Sequence, residues 1–75
     1  MTVEIQERKK VDCRTELVYV KQWPNVPTSL VPQKGDVIKV HFGDFGENVN
    51  EYIVLYRIID GDEMGKIIVV VEERT

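Results

Sequence analysis

At 75 residues, with 43% hydrophobic and 31% charged side chains, the chain suits one small folded domain over 1–75 and is too apolar for a disordered segment. A formal charge of −3 argues against broad binding to nucleic acid or an anionic membrane, both of which need a concentrated positive field. The one cysteine, Cys13, excludes an internal disulfide and a cysteine-built zinc site, and no apolar run is long enough to span a membrane as a helix.

The start, Met1-Thr2-Val3-Glu4-Ile5, is polar and alternating, without the apolar core of a signal peptide, so a reducing, cytoplasmic setting is expected. Val3 and Ile5 against Thr2, Glu4 and Gln6 predict a short first strand, and Glu7-Arg8-Lys9-Lys10 reads as a turn or a strand end. Arg14 to Gln22 predicts a second strand, with Leu17, Tyr19 and Lys21 opposite Val18, Val20 and Gln22. Trp23 to Pro32 holds three prolines, which remove ladder donors, so it is expected as an ordered loop with Trp23, Val26 and Leu30 pointing inward and one helical turn around Thr28–Val31. Pro32-Gln33-Lys34-Gly35-Asp36 is a turn signal, the glycine taking a positive φ that other residues resist.

A third strand follows, with Ile38, Val40 and Phe42 on one face and Lys39 and His41 on the other, then a long connection from Gly43 to Asn50. Tyr52 to Ile59 and Lys66 to Val71, joined by a tight Gly61–Gly65 hairpin, are the most informative segments because they are apolar on both faces. Tyr52, Val54, Tyr56 and Ile58 would share one face, and Ile53, Leu55, Arg57 and Ile59 the other. A chain this short cannot hide both faces of two strands in one core, so the second face needs the N-terminal third of the chain, a second copy, or a partner to cover it. Five short strands without a long helix predict an all-β fold, a small five-stranded antiparallel barrel of the SH3-like or OB-like kind.

No residue pattern points to catalysis, a cofactor or a metal. His41 falls on the polar face of a strand and Cys13 near a strand entry, and nothing in the spacing pairs them, so the protein is not expected to be an enzyme. Asp44, Glu47, Asn48 and Asn50 offer oxygens in one loop, but their spacing matches no calcium motif and ordinary turn chemistry accounts for them. Phe45 lies between Gly43 and Gly46, either closing over a barrel end as a lid or presented to a ligand.

Gly35-Asp36, the alternating Val37-Ile38-Lys39-Val40 and Gly43 resemble part of a KOW motif, the small-barrel motif of ribosome- and transcription-associated proteins, over about a dozen residues from Gly35 to Gly46. The glycines that would continue the motif are missing after Gly46, so RNA binding is not carried over. Pro32, Gly35, Asp36, Ile38, Val40, Tyr52 and Val54 resemble the Pro-x-x-Gly-Asp turn, alternating strand and Tyr-x-Val strand of short bacterial and phage all-β proteins. That resemblance implies a fold and no activity.

The leading expectation is therefore a non-catalytic interaction module, accessory or phage-derived, binding a protein or pairing with itself as a homodimer. Its candidate surface is Ile53, Leu55, Arg57, Ile59 and Phe45. The alternative is a nucleic-acid-binding barrel of KOW or OB type, which requires a positive stripe from Arg8, Lys9, Lys10, Lys39 and Arg57.

Overall fold

The computed structural model describes residues 1–74, which form β1 (Thr2–Val11), β2 (Arg14–Trp23), a 3-10 turn (Thr28–Leu30), β3 (Val37–Phe42), β4 (Asn48–Ile59) and β5 (Lys66–Glu73). All five strands belong to one sheet in the order β2-β1-β5-β4-β3. The fold is all-β. It departs from the antiparallel expectation at one ladder, where β1 and β5 pair in parallel from Thr2↔Lys66 to Glu7↔Val71. The reason is directional: five strands that reverse at every connection leave the first and fifth running the same way, so placing them side by side makes a parallel pair. No ladder joins β2 to β3 among the described residues, and the sheet is open with these two strands as its edges. A side-chain tie spans the gap, the Lys21 ammonium donating to the His41 carbonyl at 2.9 Å.

One face of the sheet holds the core. Val3 and Ile5 of β1, Ile67, Val69 and Val71 of β5, Tyr52 and Val54 of β4 and Val40 of β3 are buried together with Val31 from the β2–β3 connection. Alternation makes this face: in β1 the odd positions Val3, Ile5 and Glu7 are buried and the even ones are not. Trp23 and Val26 pack against the core as expected. Leu30 does not; it is exposed, and Val31 takes the inward place. The 3-10 turn explains the exchange, since Leu30 N–H bonds to the Pro27 carbonyl and Val31 N–H to that of Thr28, rotating Leu30 outward.

Two β-bulges reassign faces that simple alternation misplaces. In β4, Val54 lies opposite Val71 and Tyr56 opposite Val70, so Leu55 is the extra residue. The inner face thus runs Tyr52, Val54, Arg57, Ile59 and the outer face Ile53, Tyr56, Ile58, which corrects both expected sets of four. In β2, Lys21 lies opposite Ile5 and Tyr19 opposite Gln6, with Val20 as the extra residue.

Glu7 to Lys10 is strand, not turn. β1 continues to Val11 beside β2, past the end of its pairing with β5, so the β1–β2 hairpin projects as an arm. Arm residues from Arg8 to Val18 are exposed, which is why they carry no burial pattern to read in the sequence. Its two-residue turn places Asp12 at φ 49° and Cys13 at φ 68°, the pair of positive dihedrals that a type I′ turn demands. Glycine fits the second position without the left-handed penalty. Cys13→Gly is therefore expected to raise the unfolding free energy by about 0.5–1 kcal/mol in a urea titration. No gain would mean that the turn relaxes out of this geometry in solution.

Candidate interaction surface

The outer face can be laid out from the pairings. Across the sheet from β2, one row reads Gln22, Glu4, Ile68, Ile58; the next Tyr19, Gln6, Val70, Tyr56; the next, joined between β1 and β5 by the Arg8–Glu72 ion pair and continuing onto β3, Leu17, Arg8, Glu72, Ile53, Val37. Val70 is fully buried in the middle of this face, flanked by Gln6 and Tyr56. Around it Ile53, Tyr56 and Ile58 remain 37%, 42% and 36% exposed, with Val37 beside them on β3. They form a continuous apolar strip on β3, β4 and β5. The polar even positions of β1, Glu4, Gln6 and Arg8, separate it from Leu17 and Tyr19 on β2.

The candidate residues read from the sequence are not brought together. Ile53 belongs to the outer strip, Leu55 is half-buried at the bulge, and Arg57 and Ile59 are exposed on the inner side opposite Val69 and Ile67. Ile59 is 73% exposed and Ile53 is not covered by the proline-bearing connection. Phe45, 95% exposed at the tip of the β3–β4 turn, is no lid. Its backbone N–H is held by the Glu47 carboxylate at 3.0 Å, so the turn is ordered around an outward ring. The bulge hides the outward turn of Tyr56 and Ile58 from the sequence, although a doubly apolar run signals that some second face remains.

The positive stripe is likewise dispersed. Lys39 lies on β3 within 4.0 Å of Glu51, Arg57 is on the inner side, and Arg8, Lys9 and Lys10 are on the arm. His41 bonds through Nδ1 to the Gly46 carbonyl at 3.2 Å, while Cys13 is exposed at the arm's turn. Among the described residues no three His, Cys, Asp or Glu side chains gather as a metal site, and no helix is long and apolar enough to cross a membrane.

Glu4, at the margin of the strip, is held by two side chains. The Gln6 amide donates to its carboxylate and the Lys66 ammonium lies 3.2 Å away. The Gln6 hydrogen bond, opposed by burial and aided by Lys66, holds the Glu4 carboxyl below its ordinary value of 4.5, and the Glu4 hydrogen bond raises Lys66 above 10.5. Glu4's contribution to stability is complete above the unfolded carboxyl's value and is lost as pH falls through the lower folded value. That of Lys66 is complete below its unfolded value and is lost as pH rises through the higher folded one. Glu4→Gln should therefore flatten the loss of stability as pH falls through and below the ordinary carboxyl range, read as melting temperature against pH. An unchanged acid limb would show that the network does not persist in solution.

Comparison of the chain with protein-family models, with curated proteins and with solved structures finds no match.

Proposed function

We propose that this protein is a non-catalytic binding module that works by protein–protein contact through the outer face of β3, β4 and β5. One observation carries the reading: Val37, Ile53, Tyr56 and Ile58 stay exposed side by side on a sheet whose other face already holds the core. A contiguous apolar patch on a small domain costs solubility unless something covers it. The tie from Lys21 to His41 between the sheet's edges supports a curled, partly open barrel of the SH3-like or OB-like kind, a shape that turns this strip outward. The resemblance to short bacterial and phage proteins agrees with an accessory protein, whose partner is either another protein or a second copy.

Light scattering from micromolar to millimolar protein, repeated with Ile58→Glu, tests the first half of that choice. Self-association that the variant abolishes assigns the strip to a second copy. For a monomer, a photo-cross-linker at Ile58 is expected to trap one host protein, with no product from the same group at Lys34. A monomer whose Ile58 probe traps nothing more than the Lys34 control overturns the reading.

A further inference from the structure

We propose that the notch at the foot of the β1–β2 arm binds a phosphate monoester, a site separate from the apolar strip and independent of its role. The notch is an open depression of about 400 Å³ lined by Arg8, Lys9, Lys10, Thr15 and Glu72. It arises from the pairing lengths: β1 pairs with β5 only as far as Glu7↔Val71, while β1 and β2 continue together to Val11↔Arg14. Past Glu73 the chain keeps to the β4 ladder, Arg74 N–H bonding to the Glu51 carbonyl at 2.9 Å, so among the described residues nothing pairs with β1 beyond Glu7 on that side.

Three features fit an anion there. Three cations and one carboxylate line it, Arg8 and Lys10 from one face of β1 and Lys9 from the other, a net +2 in a chain whose formal charge is −3. Arg8 is already tied to Glu72 at 3.2 Å, which fixes the guanidinium at the rim, whereas Lys9 and Lys10 have no ion-pair partner among the described residues. Backbone also contributes. Even-numbered residues of β1 turn their backbone groups toward β5, as Thr2 N–H does in donating to the Gly65 carbonyl at 2.7 Å. By the same alternation Lys10 N–H points to the side that β5 has vacated, away from its cross-strand neighbour Thr15. The Thr15 hydroxyl adds a neutral donor.

The charge count selects the ligand class. A phosphate monoester carries about −1.5 to −2 at neutral pH and matches the excess. A phosphodiester carries one charge per link and needs cations spread along a track. The cations of this notch are three consecutive residues around one opening instead.

Amide chemical shifts of the intact protein, titrated with inorganic phosphate against chloride at matched ionic strength, read the site directly. Shifts confined to residues 8–10, 15 and 72 are expected. Lys9→Gln/Lys10→Gln, two exposed changes that leave the core untouched, should weaken binding about tenfold through lost charge-assisted bonds. Glu72→Gln should tighten it, because it removes the competing carboxylate. A phosphoserine peptide binding more tightly than inorganic phosphate would assign the site to a modified protein chain, and equal affinities to a small phosphate ester. No localised shift with either probe, or tighter binding of a thymidine oligonucleotide that the double variant leaves intact, overturns the proposal.

Discussion

Ile5→Ala is expected to lower the unfolding free energy by about 3–4 kcal/mol, within the range for large-to-small changes at fully enclosed aliphatic sites. Ile5 is fully buried in β1, opposite Val69 of β5 and Lys21 of β2, and its side chain points into the one apolar cluster. Truncation removes the transfer energy of three carbon groups and leaves a cavity that ladders on both sides prevent from collapsing. Domains of this size have roughly 4–11 kcal/mol in total, so the variant loses about a quarter or more of what it has. Urea titration followed by Trp23 fluorescence and by circular dichroism measures it, and Ile59→Ala, at an exposed position on the same sheet, should stay within about 0.5 kcal/mol. A loss below about 1 kcal/mol for Ile5→Ala would mean that the core face is far looser than its burial indicates.

Gly35→Val should cost about 2 kcal/mol by a different route, through the backbone alone. Gly35 has φ +91° in the turn Gln33–Asp36, which is closed by Asp36 N–H to the Gln33 carbonyl at 3.0 Å and by Gln33 N–H to the Asp36 carboxylate at 2.8 Å. A Cβ built there would meet nothing within 4 Å, so no clash contributes to the penalty. What the substitution stresses is the attachment of the turn to β4: Gly35 N–H donates to the Val54 carbonyl and Val54 N–H to that of Asp36, both at 2.9 Å. Asparagine, which tolerates positive φ better than a β-branched residue, should recover part of the loss. Wild-type melting of Gly35→Val would refute the turn geometry.

The positive φ at Gly35 was readable because glycine after Pro-x-x and before aspartate has a single economical conformation, although Pro32 precedes the turn instead of occupying its second position. The core half of β1 was readable too, since Val3 and Ile5 alternate with polar neighbours over a buried face. Its second half was not, because an arm exposed on both faces has no reason to alternate. The bulges at Val20 and Leu55 left no mark either. Nothing chemical distinguishes Leu55 from an in-register leucine, and the extra residue becomes visible only when Val54 and Tyr56 are found opposite neighbouring residues of β5. Hence the existence of an unspent apolar face was legible, while its membership was not. The notch was illegible for a simpler reason: it depends on where β5 stops relative to β1, a register that spans 64 residues between Arg8 and Glu72.

The parallel junction of β1 and β5 also decides how the molecule answers to tension. A pull between Thr2, at the start of β1, and Glu73, at the end of β5, slides two codirectional strands past each other lengthwise. The register pairs from Thr2↔Lys66 to Glu7↔Val71 then bear the load together and must yield together. The same force across the β4–β5 hairpin would open its pairs one after another, like a zip. The domain is thus a clamp along one axis and a zip along another, a directional strength conferred by strand polarity and by no single residue.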